Sequence, residues 1–175
     1  VLITGVTGSG KSRLAFELAS WLGSEIISVD SMKVYRGMDI GTAKPSSQAR
    51  QQVPYHLIDV VEPWDSFSVE RFLELTGLAC DDIEARGKKV IAAGGTAMYI
   101  KALLWGLFEG PGGDEQLRSR LKKEYEQQGP EVMHGRLAEV DPEAAERIHP
   151  NDRKRIVRAM EVYELTGRPI SSFQE

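Results

Sequence analysis

The sequence predicts an α/β fold, in which a parallel sheet is flanked by helices and is followed by an all-helical region. Three observations support this prediction. A glycine-rich segment follows an apolar run at the start of the chain, apolar runs alternate with helical patterns up to residue 110, and strand signals stop beyond that point. Alternating strands and helices are typical of a parallel sheet. We therefore expect a core over residues 1–110 and a helical domain over residues 111–175.

The glycine-rich segment at residues 5–12, GVTGSGKS, fits the G-x-x-x-x-G-K-[ST] pattern of a phosphate-binding P-loop. The apolar run at residues 1–3 is suited to a buried parallel strand. After the loop, apolar residues recur at helical spacing and predict a helix over residues 11–22. A strand, a loop and a helix in this order predict a P-loop NTPase-like core. The alternative, a chance glycine-rich turn, requires neither the Lys-Ser pair nor the helix.

Each part of this loop has a physical role in holding phosphates. The glycines allow the backbone to turn its N–H groups inward, and the helix N-terminus adds a partial positive charge. The Lys11 side chain can bridge two phosphates, and the Ser12 hydroxyl can hold Mg²⁺. The candidate residues for binding a diphosphate or a nucleotide are Gly5, Val6, Thr7, Gly8, Ser9, Gly10, Lys11 and Ser12.

The composition is that of an ordinary globular protein, with 41% hydrophobic and 27% charged residues. A net charge of −4 argues only weakly against a nucleic-acid partner, because a local basic face can bind one. One cysteine, Cys80, fits a reducing cytosol. No run is long enough to span a membrane and no signal peptide is visible, so we expect a cytoplasmic protein without a membrane partner. Both ends look cut, which predicts part of a longer protein.

A second buried strand is predicted at residues 25–29, and Asp30 stands at its carboxyl end. Ligands of open α/β sheets bind at that edge, beside the P-loop. A reactive role for Asp30 is therefore the preferred interpretation. The alternative is that its carboxylate only caps a turn or a helix.

The segment at residues 32–45 mixes Lys33, Arg36 and Lys44 with Tyr35 and lacks a regular period. Basic residues next to an aromatic residue suit contact with a nucleotide or with phosphates. A solvated connection with idle charges is the other interpretation, and the composition leaves both open. Residues 46–52 predict a turn of helix. A strand is predicted over residues 55–61, with His56 as a structural residue.

A helix over residues 68–86, with Gly87 at its C-terminus, leads to another strand at residues 89–93. Gly94 and Gly95 follow this strand and would permit close approach of a substrate. Thr96 can then hydrogen-bond the substrate, or it can cap the helix predicted over residues 97–104. Both roles for Thr96 stay open.

The helical region predicts helices at residues 115–127 and 130–139, a further turn near residues 144–148, and a helix that follows Asn151 as its N-cap and ends at Gly167. Cations in the first turns of this last helix oppose its macrodipole, which indicates a polyanionic ligand. The alternative is a solvated stripe paired with nearby carboxylates. The cations are Arg153, Lys154, Arg155 and Arg158, and the carboxylates are Asp152, Glu161 and Glu164.

Taken together, the chain resembles the tRNA dimethylallyltransferases, also called tRNA isopentenyltransferases. The resemblance covers essentially the whole chain. The P-loop alone is shared by many unrelated enzymes, whereas the second and the last matching stretches are far more specific. The matching stretches are residues 5–12, 30–45, 54–59, 94–96 and 149–158.

The resemblance implies transfer of a dimethylallyl group from dimethylallyl diphosphate to N6 of an adenosine next to the tRNA anticodon, at tRNA position 37, with release of diphosphate. It implies a P-loop core with a helical insertion, Mg²⁺ as cofactor, tRNA as partner and a monomeric enzyme. By position, Asp30 would be the general base, acting with Lys11 and Thr7 in catalysis. Mg²⁺ would be held by Ser12 together with the diphosphate.

The resemblance also assigns residues to tRNA. Those after the second strand would line the adenine pocket, others would contact tRNA near the reacting nucleotide, and the last helix would contact its backbone. The first set is Asp30, Ser31, Met32 and Lys33, the second is Thr96 and Arg118, and the third is Lys154, Arg155, Ile156, Val157 and Arg158.

Two positions depart from the family pattern: Lys33 stands where Gln is usual, and Ala97 where Gly is common. The departure at Lys33 falls in the stretch that would recognise adenine, so recognition at that position stays open. Because the family protein is longer, the activity of these residues alone also stays open. Three alternatives remain: an adenylate isopentenyltransferase that prenylates a free nucleotide, a small-molecule P-loop kinase, and a non-catalytic nucleotide-binding module.

Overall fold

The computed structural model describes residues 1–107 and 110–173, and the chain divides into two compact units. The first unit is Val1–Leu107 and contains the sheet, and the second is Phe108–Glu175 and is helical. The division lies close to the boundary expected after residue 110. Within the described ranges, none of the helices has the length and apolarity that a membrane span needs.

The first unit has four strands and four helices. The strands are β1 (Leu2–Thr4), β2 (Glu25–Val29), β3 (Tyr55–His56) and β4 (Val90–Gly94), and the helices are α1 (Lys11–Leu22), α2 (Ser47–Gln52), α3 (Val69–Ala85) and α4 (Ala97–Trp105). The strands pair in the order β1-β4-β2-β3, and every pair is parallel. The carboxyl ends of β1, β2 and β4 therefore meet at one edge, as the predicted α/β fold requires.

Helices cover both faces of the sheet because side chains alternate along the central strand β2. Ile26 belongs to a cluster with Ala15 and Ala19 of α1, whereas Ile27 belongs to a cluster with residues of α3 and α4. In the second cluster the rings of Phe72 and Tyr99 stack with centroids 4.0 Å apart. Strand β2 is fully buried between these two layers, and its carboxyl end leads directly to Asp30.

The prediction of one strand over residues 55–61 is wrong beyond His56. Leu57 and Asp59 have left-handed backbones, with φ of 61° and 56°, and this conformation ends an extended strand. The chain then pairs with a different segment, since Tyr35 and Val61 form an isolated bridge. The turn thus joins residues 59–61 to the segment that follows β2.

A buried carboxylate stabilises the opposite edge of the sheet. Glu25, 1% exposed, accepts hydrogen bonds from Arg86 and Lys88 and contacts His56 Nε2 at 2.8 Å. The bonds from Arg86 hold the pKa of Glu25 well below its ordinary range, although burial acts in the other direction. His56 has the structural role that the sequence predicts.

The helical unit contains α5 (Glu115–Gln128), α6 (Pro130–Val140), α7 (Pro142–Arg147), α8 (Arg153–Thr166) and a 3-10 turn at Ile170–Phe173. Its core includes Leu121, Met133, Leu137 and Ile156, all with no exposed surface. The prediction of Asn151 as N-cap of α8 is wrong. Asp152 is the cap, because its side chain accepts from the Arg155 N–H, and Gly167 ends the helix with φ 68°.

Candidate functional site

The P-loop connects β1 to α1 as the sequence predicts. Gly8 and Gly10 both have φ of 83°, a backbone that other residues rarely adopt. Gly10 is the N-cap of α1, and no side chain caps this helix or places an acidic group in its first turn. The first N–H groups of α1 therefore remain available to an anion. Lys11 Nζ donates to the Val6 carbonyl of the same loop at 3.1 Å.

A cavity of about 290 Å³ lies at the carboxyl edge of the sheet. Three parts of the first unit form it: the P-loop, the segment after β2 with the turn that follows, and the end of β4. Its lining includes Thr7, Gly8, Lys11, Ser12, Asp30, Met32, Lys33, Gly41, Thr42 and Ala43. The structure therefore brings together seven residues that the sequence predicted at the site: Thr7, Gly8, Lys11, Ser12, Asp30, Met32 and Lys33.

The Asp30 carboxylate has the capping role considered for it from the sequence, and its reactive role stays a prediction. Its Oδ1 atom accepts from the backbone N–H groups of Met32 at 2.9 Å and Lys33 at 3.3 Å, which caps the turn after β2. No hydrogen bond between described residues engages Oδ2. One oxygen thus holds the carboxylate in place while the other stays available to accept a proton.

Lys33 is half-buried in the same cavity. Burial lowers the pKa of Lys33, Asp30 acts against this shift, and Lys11 adds to it. Two lysines and a helix N-terminus therefore share one cavity with one carboxylate. This balance favours an anionic ligand.

Thr96 lies at the N-terminus of α4, but its side chain makes no capping bond there. Instead, Thr96 Oγ1 accepts from the Ser31 N–H at 2.9 Å and donates to Ser31 Oγ at 3.3 Å. This contact ties the end of β4 to the residue that follows Asp30. Thr96 and Ser31, both predicted at the site, are therefore joined next to the carboxylate.

Gly94, the last residue of β4, and Gly95 both lie close to protein backbone, and Gly94 also lines the first cavity, so their close approach to a substrate stays a prediction. A side-chain carbon at Gly94 would collide with the Val29 carbonyl of the neighbouring strand. A carbon at Gly95 would lie 3.3 Å from the Gly5 carbonyl and 3.6 Å from Lys11 Cε. Gly94 thus permits strand pairing, and Gly95 leaves room for the lysine.

The two interpretations of the basic segment at residues 32–45 divide between its members. Arg36 donates to the Asp59 carbonyl and to Glu62, both at 2.9 Å. The Lys44 side chain is 2% exposed and bonds to carboxylates of the protein. Lys44 is therefore held by the protein and Lys33 lines the cavity, whereas ligand contact by the exposed Arg36 stays a prediction.

A second cavity, of about 420 Å³, lies within the helical unit and is lined by α5 and α8. Arg118 and Arg158 both bond to Glu161 Oε2, at 3.1 and 2.8 Å, and Glu161 has no exposed surface. Burial would raise the pKa of Glu161, but the bonds from the two arginines lower it on balance. The residues that line this second cavity are Arg118, Lys122, Arg153, Lys154, Val157 and Arg158.

The predicted tRNA-contact residues of α8 do not share one environment. Lys154 is exposed and forms no ion pair within the described part of the chain, and Arg155 is exposed and lies 3.3 Å from Asp152. The structure corrects the assignment of Ile156, whose side chain is 0% exposed because it packs in the core. Val157, 3% exposed, forms the apolar floor of the second cavity.

Sequence reasoning missed several lining residues. Lys122 follows Arg118 by four residues on the same helix, and this spacing was a usable signal. Gly41, Thr42 and Ala43 carry no such signal, since their place in the first cavity depends on how a long loop folds back. Glu161 was considered only as a partner of a solvated stripe, whereas it is fully buried.

The donors at the first cavity suit a magnesium ion that is shared with phosphates. Among residues 1–107 and 110–173, no three His, Cys, Asp or Glu side chains form a metal cluster. The Ser12 hydroxyl and the Asp30 carboxylate are hard oxygen donors on the cavity wall. Mg²⁺ bound to phosphates requires only one or two such protein ligands and keeps several waters, so the residues present fit it.

Comparisons with known proteins agree with this arrangement. The model of the IPP transferase family matches residues 33–175. The chain is 55% identical over its full length to the tRNA dimethylallyltransferase of Geobacter metallireducens, of which it spans 57%, and 51% identical to that of Methylococcus capsulatus, of which it spans 56%. The chain thus spans little more than half the length of these curated relatives.

Two solved structures are also similar. A eukaryotic dimethylallyltransferase acting on tRNA aligns with 99% of this chain and 44% of its own, at a TM-score of 0.78 and 34% identity. The tRNA isopentenylpyrophosphate transferase of Bacillus halodurans aligns with 96% of this chain and 56% of its own, at a TM-score of 0.60 and 41% identity. Each of these identities lies well above the level at which only the fold is shared.

Proposed function

The chain belongs to the IPP transferase family, and from this premise we propose that the full-length protein transfers a dimethylallyl group from dimethylallyl diphosphate to N6 of an adenosine next to the tRNA anticodon. The names of the relatives support this reaction. One observation carries it: the Asp30 carboxylate and the P-loop line the same cavity. A base and a diphosphate cradle in one cavity are what this reaction needs. A cytoplasmic location and a monomeric state stay predictions.

The P-loop holds the leaving diphosphate in this proposal. As the allylic carbon separates from its oxygen, negative charge builds up on that oxygen, and donors aimed there stabilise the transition state. The N–H groups at the start of α1 and the Lys11 ammonium supply such donors. The same loop also carries the hydroxyl groups of Thr7, Ser9 and Ser12. This catalysis needs no contact with a nucleotide triphosphate.

Asp30 acts on the other reactant. The N6 amine attacks the terminal allylic carbon, a nitrogen–carbon bond forms, and the carbon–oxygen bond breaks with its electron pair going to diphosphate. The proton lost by the nitrogen passes to Asp30 Oδ2, the carboxylate oxygen that accepts no hydrogen bond from residues 1–107 or 110–173. Oδ1 stays bonded to the two backbone N–H groups and keeps the carboxylate in place.

Mg²⁺ would be held by the Ser12 hydroxyl together with diphosphate oxygens. When bound, the ion supplies positive charge that stabilises the leaving group. The protein's own part is to keep the Ser12 hydroxyl at the first turn of α1, next to the Lys11 ammonium.

The tRNA partner would contact both units. In the first unit, Ser31, Met32, Lys33 and Thr96 lie next to Asp30 and suit the reacting adenosine. In the helical unit the exposed Lys154 and Arg155 and the half-buried Arg118 and Arg158 suit phosphates, which position a nucleic acid without reading its sequence. The proposed phosphate contacts are Arg118, Lys154, Arg155 and Arg158.

Labelled dimethylallyl diphosphate offered to the full-length protein with tRNA, AMP or ATP tests the proposal. We expect label in tRNA alone, on an adenosine N6. Label in AMP alone would assign the protein to the adenylate isopentenyltransferases. Transfer of phosphate from ATP to a small molecule would assign it to the kinases.

The variant Asp30→Asn tests the role of the base in the same assay. We expect prenyl transfer to tRNA to fall by about 10²–10⁴-fold, the usual contribution of a positioned general base. Binding of inorganic diphosphate should persist, because the P-loop is unchanged. Transfer at the parental rate would remove Asp30 from the mechanism while leaving the family reaction in place.

A further inference from the structure

Lys44 is a buried lysine with a full set of oxygen partners. Its side chain is 2% exposed, and Nζ donates to Asp59 Oδ1 at 2.6 Å, to Asp39 Oδ1 at 2.9 Å and to the Tyr35 carbonyl at 2.6 Å. Burial lowers the pKa of Lys44, but the two carboxylates outweigh this and raise it on balance. The ammonium thus stays charged and has no donor left for a ligand.

Asp59 is the centre of this network. Its Oδ1 accepts from Lys44 and its Oδ2 accepts from Arg50 Nη1 of α2, both at 2.6 Å. Its backbone N–H donates to the Lys33 carbonyl at 3.1 Å, and its own carbonyl accepts from Arg36. One residue therefore joins the segment after β2, the turn before Pro45 and helix α2.

The network lies behind the wall of the first cavity. Lys44 and Asp59 do not line that cavity, but their bonded neighbours do: Lys33 on one side, and Gly41, Thr42 and Ala43 on the other. Ala43, directly before Lys44, has a left-handed backbone with φ 51°. Surrounding contacts must hold a residue in this conformation, since an L side chain disfavours it. The side-chain hydrogen bonds of the two flanking residues, Thr42 and Lys44, supply such contacts.

We propose that Lys44 and Asp59 are positioning residues, which hold residues 33–45 as one wall of the cavity opposite the P-loop. The proposal rests on the proposed function for its kinetic consequence, although its structural part does not. The P-loop wall makes no bond to this network in the described structure. Loss of the network should therefore disturb the side of the cavity next to Asp30 and spare the diphosphate side.

Lys44→Met in the full-length protein is the direct test, because it removes the ammonium and keeps the buried stem. Amide hydrogen exchange over residues 33–45 should become faster by about tenfold or more, and exchange over α3 and β4 should not change. The kcat for prenyl transfer should fall by about 10²-fold, as for other losses of alignment. The Kd for inorganic diphosphate and the KM for dimethylallyl diphosphate should stay within about threefold.

Arg71→Met is the matched control, since Arg71 forms an exposed pair with Glu74 on α3 of the same unit. It should change none of these quantities. Diphosphate-binding stoichiometry normalises every rate to folded protein. If Lys44→Met does not fold, Asp59→Asn is the second variant, because it keeps an oxygen for Lys44 and removes one charge. It should show the same pattern at a smaller amplitude.

Each outcome of these measurements tests a different part of the proposal. Unchanged exchange over residues 33–45 in either variant overturns the positioning role, whatever the enzyme does. Faster exchange with an unchanged kcat overturns its link to catalysis. A wild-type protein without prenyl transfer contradicts the proposed function alone, since the exchange measurement needs no activity.

Discussion

The first cavity, in the sheet unit, and the second cavity, in the helical unit, both contain cations, but these cations have different hydrogen-bond partners. In the first, Lys11 bonds only to a carbonyl of its own loop, and no carboxylate pairs with it in the described structure. In the second, Arg118 and Arg158 are both fixed on the buried carboxylate of Glu161, and Arg153 bonds to Glu126. Lys154 of the second cavity differs, because it is exposed and forms no ion pair with any residue that the structure describes.

The first cavity therefore has uncompensated positive charge, whereas the second has cations in fixed orientations. An unpaired lysine at a helix N-terminus attracts an anion strongly, because two positive potentials add without compensation. Arginines held on a buried carboxylate carry less net charge but have fixed orientations, so they present a defined surface. We infer that the first cavity supplies binding energy to a small anion, and that the second positions a large one.

Among changes to the cations of the two cavities and to Glu161, the largest effect should come from removing the P-loop lysine. Lys11→Ala should reduce prenyl transfer by about 10²–10³-fold, as for loss of a donor to a developing oxyanion. Thermal unfolding should change little, since the lysine contributes one bond within its own loop. Arg13→Ala, an exposed residue two positions along α1, is the control and should keep the parental rate. Near-parental transfer by Lys11→Ala would contradict the proposed role.

A smaller effect, on stability, should follow from removing the carboxylate that orders the second cavity. Glu161→Gln removes the buried carboxylate from Arg158 and leaves Arg118 only the exposed Glu115 at 3.4 Å, and both arginines can still reach water. We therefore expect a loss of about 2–3 kcal/mol in the free energy of unfolding of the helical unit, measured by urea denaturation. Glu143→Gln, in an exposed pair on α7, should stay within about 0.5 kcal/mol of wild type.

The contribution of Glu161 should also appear in the pH dependence of the free energy of unfolding. Because the folded pKa of Glu161 lies below its ordinary value of 4.5, its contribution is present above that pH and is lost as pH falls through the folded pKa. Wild type should therefore lose more stability than Glu161→Gln between neutral pH and the acid limit. Parallel curves for the two proteins would show that Glu161 carries no such contribution.

The smallest effect should come from the free cation of the second cavity. Lys154→Ala should reduce the salt dependence of tRNA binding by about one unit of slope, as for one lost phosphate contact. The free energy of unfolding should rise by about 0.3 kcal/mol, because the substitution removes a cation from a helix N-terminus. Lys123→Ala makes the same charge change outside this cavity and should preserve the slope. An unchanged slope for Lys154→Ala would remove that contact.

The accuracy of the sequence predictions follows the range of the contacts involved. The strand, loop and helix around residues 5–12 were predicted closely, because glycine spacing and a helical period act within a few residues. The strand predicted after Tyr55 was too long, because the left-handed backbones of Leu57 and Asp59 leave no mark on an apolar pattern. In the basic segment at residues 32–45, Lys44 bonds to the protein and Lys33 lines the first cavity, and composition does not distinguish these two environments.

By itself, the sequence determined the P-loop, its helix, the position of Asp30 at a strand end and the change to a helical region. Each of these depends on local spacing or on the rule that parallel strands share a carboxyl edge. Only the tertiary structure decided that Lys44 serves Asp59 rather than a ligand, that Gly94 makes room for Val29, and that Glu161 joins two arginines. These contacts join residues distant in the chain, so their energies depend on packing and burial that no local pattern encodes.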